Sequence, residues 1–275
     1  GLPWAMSTPV TWINLDLWDK AGLDTDIPLD VEHDWLLAQC RVMDEALKAQ
    51  GHPTYRTPLD LSNNEWTSQA YIQNAGGYII DPDGVVAVDS AEAALGMSKY
   101  AEPAHEGLWT PVDGRAQRAA FTSGALAITV TSSAGASSYN NLTFPVTARM
   151  FPRIGAARKM NSGGNFLAIY ARDDEPAQAA MTFLEYAASA EGQRIWSEVG
   201  YLNTSVHEVP LMANHEAAAA QLAEGLTAET IWPGSRGLEA QNVWRQYVAR
   251  ILERQMGVEE ALAAARADIA ALVAS

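Results

Sequence analysis

Four short stretches of the chain combine small polar residues with aromatic residues, and they hold most of its candidate ligand-binding side chains. They read WAMSTP at 4–9, NNEW at 63–66, TSSAGASS at 131–138 and VGYLNTS at 199–205. Such a mixture suits a small polar solute, because aromatic faces stack on its apolar surface while hydroxyl and backbone N–H groups hold its polar groups. The four stretches therefore favour ligand binding.

Two of these positions have a definite local context. Ser132 and Ser133 follow a predicted buried strand and precede a predicted helix, whose free N–H groups and positive dipole end suit an anion or a hydroxyl. A plain N-cap role for Ser132 is the alternative. Trp4 and Trp66 stand among polar or small residues, so either could line a binding site or pack in the core.

Catalytic and metal motifs are not recognisable in the sequence. The chain has one cysteine, Cys40, on the apolar face of a predicted helix, and its five histidines are scattered without a metal-ligand or Ser/His/Asp spacing. Gly163 and Gly164 precede a predicted strand and not a helix, so they do not form a dinucleotide fingerprint. With 33 acidic residues, a carboxylate pair chosen from the sequence carries little information. No cofactor and no metal are implied.

Net charge and hydropathy argue against a nucleic-acid partner and against a membrane-spanning helix. The formal net charge of -15 would repel a phosphate backbone, which makes nucleic acid an unsuitable partner. No apolar run reaches the roughly 20 residues that a membrane-spanning helix needs. A hydrophobic fraction of 48% with 19% charged residues is typical of a globular domain.

Strand and helix patterns alternate along the chain and predict an α/β fold. The predicted strands cover 10–15, 54–61, 127–131, 144–154 and 163–171, with a hairpin at 78–88. The predicted helices cover 30–51, capped by Asp30 and Gly51, and 62–77, capped by Ser62 and stopped at Gly76. Further helices are predicted over 89–107, 115–126, 174–200, 238–257 and 258–275.

The order of several stretches resembles one protein family. STPVTWINLDLWDKAGLD at 7–24, AFTSGALAITVTSS at 120–133, the segment 163–205 from GGNFLAIYA to GYLNTS, and VEEALAAARADIAALV at 258–273 are similar to segments of the extracellular solute-binding proteins of ABC importers. The resemblance covers nearly the whole chain and is to the large carbohydrate-binding group. It implies a two-lobed α/β fold of the periplasmic binding protein type II, with a hinge.

The nearest subgroup by resemblance binds glycerol 3-phosphate, because TSSAGAS, GYLNTS and SRGLEAQN are similar to its segments. Carried over residue by residue, the resemblance implies ligand contacts at the following positions: Ser7, Trp66 (an approximate match), Ser132 or Ser133, Gly163 or Gly164, and Tyr201.

One position departs from this subgroup. Glu239 stands where the subgroup has a phosphate-binding arginine, and a carboxylate facing a phosphate is repulsive. This weakens the phosphate-monoester interpretation and favours sugars, polyols or a ligand with a cationic group, which Glu239 could bind. A capping role at the helix N-terminus is the alternative for Glu239. Arg236 could hold an anionic ligand only if it turned inward.

The resemblance also implies a domain organisation. Residues 10–160 would form the first part of a second lobe, 161–202 a strand and long helix of the first lobe, and 203–275 the C-terminal helices of the second lobe. Most of a first lobe would precede STPV, together with an export signal or lipoprotein signal.

The implied function follows from this family. It is capture of a small polar solute, such as a sugar, polyol or glycerol-phosphate-like compound, by hinge closure, and delivery to membrane permease subunits. The protein would be periplasmic, or lipid-anchored and extracellular in a Gram-positive host, not an enzyme, and a monomer when full length. Two alternatives stay open: an acidic α/β hydrolase of glycosides or esters, and a single lobe that serves as a protein-interaction module.

Overall fold

The computed structural model describes residues 1–156, 159–227 and 232–274. In these residues the strands are β1 Leu2–Ser7, β2 Pro9–Asn14, β3 Thr57–Asp60, β4 Leu126–Ser132, β5 Val146–Arg149 and β6 Gly163–Leu167. The helices are α1 Leu15–Lys20, α2 His33–Ala49, α3 Glu65–Asn74, α4 Ala91–His105, α5 Gly114–Thr122, α6 Ala136–Tyr139, α7 Asp174–Ala188, α8 Ala190–Ser197, α9 Glu216–Glu224, α10 Gly237–Leu252 and α11 Val258–Val273. The predicted alternation of strands and helices is confirmed.

The strands form two separate sheets. A four-stranded sheet has the order β3-β4-β2-β5, in which β3 and β4 are parallel and the other two pairs are antiparallel. A two-stranded antiparallel sheet consists of β1 and β6. The chain passes from one sheet to the other at Thr8, the single residue between β1 and β2.

Two hydrophobic clusters cover the four-stranded sheet. The larger contains the helices α2, α3, α4, α10 and α11, with Trp18, Tyr71 and Trp244 fully buried. The smaller includes Trp12 of β2, whose ring lies edge-on to Tyr139 at a centroid distance of 4.9 Å. Every residue of β2 is buried, as expected for a central strand covered on both faces.

The predicted long helix over 174–200 is wrong in one respect, because the chain breaks it at Ser189. The backbone of Ser189 is extended there (ψ 162°), and its Oγ accepts a hydrogen bond from Gly192 N, which caps α8. The apolar side of α7 faces solvent, with Phe183 56% exposed and Tyr186 49% exposed. The unit formed by β1, β6, α7 and α8 thus leaves apolar surface uncovered.

Other boundaries shift because of local hydrogen bonds. Helix α2 starts at His33 after Glu32, so Asp30 is not its N-cap. Asn64 caps α3, since its Oδ1 accepts from Thr67 N at 2.8 Å, and Ser62 does not. Asn14 caps α1 and so ends β2 before Leu15.

The predicted hairpin at 78–88 is reduced to a single bridge between Ile80 and Val86 around the turn 81–84. The Asp81 carboxylate holds this turn, because its Oδ1 accepts hydrogen bonds from Asp83 N and Val85 N.

Two predicted helix ends are confirmed. Gly51 follows α2 with a φ of 62°, and Gly76 follows α3 with a φ of 97°.

Candidate functional site

A cavity of about 410 Å³ lies where the two-stranded sheet meets the end of β4 and the start of α3. Five of the eight predicted site residues line it: Ser7, Trp66, Ser132, Gly163 and Gly164. Residues that the sequence analysis did not select complete the wall: Pro3, Ala5, Met6, Ser162, Asn165, Phe166 and Thr204. The structure thus brings together predicted site residues that are up to 157 positions apart in the sequence, from Ser7 to Gly164.

The two glycines allow the strands and the indole to approach closely. Gly163 pairs with Ser7 and Gly164 with Met6 across the antiparallel sheet. A Cβ atom on Gly164 would lie 2.0 Å from the carbonyl oxygen of Ala5, which no side chain permits. A Cβ atom on Gly163 would lie 3.1 Å from Ser7 Oγ and 3.2 Å from Cζ2 of Trp66. Glycine at both positions therefore shapes the cavity wall.

Trp66 is half-buried and presents its ring to the cavity. Its backbone carbonyl accepts a hydrogen bond from Asn161 Nδ2 at 2.8 Å, which ties the start of α3 to the segment that leads into β6. Its indole Nε1 has no hydrogen-bond acceptor among the described residues. Trp66 is therefore both partly packed against its neighbours and part of the cavity lining.

The two adjacent serines have different environments. The side chain of Ser132 lines the cavity, and its Oγ accepts from Ala134 N at 3.1 Å, so it also caps the 3-10 turn Ser133–Gly135. Ser133 is fully buried and its Oγ accepts from Thr8 N at 3.2 Å. Ser133 therefore holds the crossing point between the sheets and does not reach the cavity.

The helix N-terminus expected after β4 is not available for an anion. The 3-10 turn has three residues and α6 has four, too few to build a macrodipole of useful size. A ligand at this end of the sheet would instead meet individual side chains.

The crossing residue Thr8 is fixed by two side-chain hydrogen bonds. Its Oγ1 donates to Asn161 O at 3.1 Å and accepts from Gln221 Nε2 at 2.7 Å.

Tyr201 belongs to a stack of three aromatic rings and not to the lining of this cavity. Its ring is parallel to that of Trp196 (1° between planes, centroids 5.4 Å apart), and Trp196 stacks on Trp4 at 4.7 Å. The next residue, Leu202, donates its N–H to Met6 O at 2.9 Å. The residue from the GYLNTS stretch that lines the cavity is Thr204, whose hydroxyl donates to Pro3 O at 2.9 Å.

Glu239 lies on the exposed first turn of α10 and does not line the cavity. Arg236 binds it through two hydrogen bonds, Nε to Oε1 at 3.0 Å and Nη2 to Oε2 at 2.6 Å. This guanidinium holds the pKa of the Glu239 carboxyl below its usual value. This ion pair bears on both residues considered in the sequence analysis. Arg236 does not turn inward, and the Glu239 carboxylate already has a cationic partner.

Within the described ranges, one group of side chains outside the cavity has metal-ligand atoms close together: His33, Asp34 and Glu102. An ammonium group already serves it, since Lys99 Nζ lies 2.7 Å from Asp34 Oδ1 and 3.1 Å from Glu102 Oε2. Cys40 is buried, and burial raises the pKa of its thiol. Neither feature connects with the cavity.

Comparison with known proteins decides the family. Residues 1–224 match the family model of the bacterial extracellular solute-binding proteins. The chain belongs to this family. Members of the family bind solutes and are not enzymes. A search of curated protein sequences gives no significant match.

Solved structures of similar fold include three binding proteins with bound ligands. The acarbose-binding GacH receptor of Streptomyces glaucescens superposes with a TM-score of 0.81 at 19% identity, over 99% of this chain and 71% of that one. Lmo0181 from Listeria monocytogenes in complex with cycloalternan gives 0.81 at 15%, over 98% and 70%. UgpB from Mycobacterium tuberculosis in complex with glycerophosphocholine gives 0.77 at 20%, over 98% and 69%.

These likenesses confirm the predicted fold, the α/β fold of type II periplasmic binding proteins. The family is extracellular, which implies a periplasmic or extracellular location. Among the described residues, no helix has both the length and the apolar character needed to cross a membrane.

Proposed function

We propose that the chain is the substrate-binding component of an ABC importer, which captures a small polar solute in the 410 Å³ cavity and delivers it to permease subunits. The observation that carries this proposal is the convergence of Ser7, Trp66 and Ser132 with Gly163 and Gly164 on one cavity between two sheets. An aromatic face beside hydroxyls and exposed strand backbone is the usual composition of a site for a hydroxyl-rich ligand.

The connections between the sheets support a hinge. The chain crosses at Thr8, at Asn161–Ser162 and at Leu202, and the first two crossings are joined by the hydrogen bond from Thr8 Oγ1 to Asn161 O. We infer lobes over 10–160 and 203–275 on one side, and 161–202 together with β1 on the other. The separate β1-β6 sheet and the uncovered apolar side of α7 support this division.

The solute class follows from the lining. None of the described residues around this cavity is charged, and its polar groups are hydroxyls, one amide and backbone. A sugar or polyol fits such a lining through hydroxyl hydrogen bonds and stacking on Trp66. The ligands named for the similar structures, acarbose, cycloalternan and glycerophosphocholine, are polar and rich in oxygen, which agrees with this class.

The hydrolase alternative lacks a catalytic pair in this cavity. Glycoside hydrolysis ordinarily needs two carboxyl groups about 5 to 10 Å apart, and no described lining residue is Asp or Glu. No comparison supports a hydrolase either.

We further propose that the full-length protein works as a monomer without a nucleic-acid partner. The net charge of -15 on this chain repels both nucleic acid and further copies of the chain.

A thermal-shift titration of the chain with sugars, polyols, glycerophosphodiesters and polyamines tests the proposal. A bound solute raises the free energy of unfolding by RT ln(1 + [L]/Kd), so a solute at about 100 times its Kd stabilises by about 2.7 kcal/mol. Trp66→Ala should reduce the shift, and Tyr170→Ala, 91% exposed and outside the cavity, is the matched control. Solute shifts that survive Trp66→Ala unchanged, or turnover of glycosides or esters, would contradict it.

A further inference from the structure

A second cavity, of about 780 Å³, lies beside the solute cavity. Its wall includes Asn64, Arg115, Gln117, Arg118, Thr131 and Tyr139. The linings of the two cavities come from adjacent parts of the chain. Thr131 of β4 and Asn64, the N-cap of α3, line the second cavity, whereas Ser132 and Trp66 line the solute cavity.

Two arginines give the second cavity its chemistry. Arg115 and Arg118 are three positions apart on α5, a spacing that places both on one face of the helix. Within the described part of the chain, neither guanidinium has a carboxylate within 4 Å. Arg41, Arg153 and Arg236 each have such a partner. Both side chains are exposed, and other described arginines, such as Arg56 and Arg172, also have no carboxylate within 4 Å. Arg115 and Arg118 differ from those two in lining the same cavity.

One acidic residue, Asp113, also lines this cavity, but its carboxylate is engaged by the backbone. Its Oδ1 accepts hydrogen bonds from Arg115 N at 2.8 Å and Ala116 N at 3.0 Å, as the N-cap of α5. These backbone bonds hold the pKa of Asp113 below its usual value. The positive end of α5 offsets this negative charge, so the two guanidinium groups stay available to a ligand.

The floor of the second cavity is polar and fixed. Gln117 Nε2 donates to Ser62 Oγ and to Thr129 Oγ1, both at 2.7 Å, and Ser62 Oγ donates to Val130 O at 2.8 Å. Asn64 accepts from Thr67 N through its Oδ1, and its Nδ2 donates to no other described residue. The amide of Asn64 thus adds a hydrogen-bond donor near the arginines.

We propose that this second cavity is a subsite for an anionic group of the solute, a phosphate, sulfate or carboxylate, whose neutral remainder lies in the 410 Å³ cavity. The proposal deepens the solute-binding function proposed above and rests on it. Guanidinium groups bind such oxyanions through paired, charge-assisted hydrogen bonds, which are about twice as strong as neutral ones. Two positive side chains next to an uncharged cavity would select an anionic solute over its neutral analogue.

Inorganic phosphate, glycerol 3-phosphate and glycerol are the probes, with binding measured by phosphorus NMR titration and calorimetry. We expect the chain to bind glycerol 3-phosphate more tightly than both phosphate and glycerol. The double variant Arg115→Gln with Arg118→Gln should bind inorganic phosphate and glycerol 3-phosphate about tenfold or more weakly than the parent chain does. This difference should decrease as the salt concentration rises. The control is Arg56→Gln with Arg172→Gln, which removes the same charge at exposed sites outside the cavity.

The outcomes separate this inference from the proposed function. No binding of phosphate, or equal binding by the double variant and the parent chain, would overturn the subsite even if sugars or polyols bind at Trp66. Phosphate binding that depends on both arginines, together with glycerol 3-phosphate binding no tighter than phosphate, would also overturn it, because the anion would then be free phosphate and not part of a solute. A third outcome is that phosphate binds through the two arginines while no neutral solute shifts the melting temperature. This result would refute the proposal that the solute is a neutral sugar or polyol, and it would leave the anion subsite standing.

Discussion

The indole of Trp66 and the backbone of Gly163 lie so close that a methyl group on Gly163 would come within 3.2 Å of the ring. This contact joins α3, part of the larger sheet unit, to β6, part of the smaller one. It places the aromatic face of the cavity directly against the strand backbone that a ligand would bind. Three of our predictions concern this contact and its surroundings.

Gly164 is the position where a side chain is least tolerated. Gly164→Ala places a Cβ atom 2.0 Å from Ala5 O, so β1 and β6 must separate, and we expect a loss of roughly 1–3 kcal/mol in the free energy of unfolding. Urea denaturation measures it. Gly114→Ala is the matched control, because a Cβ atom there meets nothing within 4 Å. Equal stability of Gly164→Ala and Gly114→Ala would mean that the β1-β6 pairing is not formed in solution.

Trp66→Ala should weaken solute binding by ~1–3 kcal/mol, because the stacking face is removed, with a small change in the melting temperature of the ligand-free chain. Calorimetry with a solute identified by thermal shift measures the first, and a melt without ligand measures the second. A large loss of ligand-free stability with unchanged affinity would make Trp66 a core residue.

Tyr201→Ala is expected to give a different result. Tyr201 stacks on Trp196, which stacks on Trp4, so its removal should lower stability by about 1 kcal/mol while affecting affinity less than Trp66→Ala does. Tyr201→Phe, which retains the stack, is the conservative control. An affinity loss for Tyr201→Ala as large as that of Trp66→Ala, without a loss of stability, would place Tyr201 in the solute site.

Glu239→Gln should leave solute affinity unchanged, because Glu239 is exposed, bound to Arg236 and outside the cavity. The stability change should be small and should shrink further as salt is raised. Calorimetry at two salt concentrations checks both points. An affinity loss that diminishes with salt would instead show that the carboxylate pairs with a cationic group of the solute.

Asp60 predicts a pH dependence of stability. It is 3% exposed, and burial raises its pKa to about 7, while the hydrogen bond from Ser62 N opposes the rise. An acid whose pKa is higher in the folded state than in the unfolded state binds its proton more tightly when folded. Its contribution to stability is therefore full below about pH 4 and is lost as the pH rises towards 7, by at most ~1.4 kcal/mol per pH unit.

Asp60→Asn isolates this contribution, because the amide keeps the acceptor for Ser62 N and does not titrate. The difference in unfolding free energy between Asp60→Asn and the parent chain should shift in favour of the variant between pH 4 and 7. Urea denaturation across this range measures it. His33 and His215, whose pKa values burial lowers, act in the opposite direction in both proteins and cancel in the difference. A pH-independent difference would mean that Asp60 is solvated in solution.

Local sequence was sufficient for most of the elements. Helix ends follow from single residues, such as Gly51 and Gly76 with positive φ, and the strand that ends at Ser132 follows from a short apolar run, because these signals act over a few positions. The same reasoning missed the break at Ser189. Ser189 is both the C-cap of α7 and the N-cap of α8. The residues around it are equally compatible with one uninterrupted helix, so the local sequence does not reveal the break.

The candidate site depended on tertiary structure. The resemblance pointed to both Ser132 and Ser133, but only the crossing at Thr8 decides that Ser133 is buried beneath it and Ser132 faces the cavity. Gly163 adjoins Ser7 only through the antiparallel register of β1 and β6, and Thr204 enters the wall through its bond to Pro3. Sequence patterns report periods of two to four residues, whereas these contacts join segments more than 120 positions apart, so only the packed chain could select among the candidates.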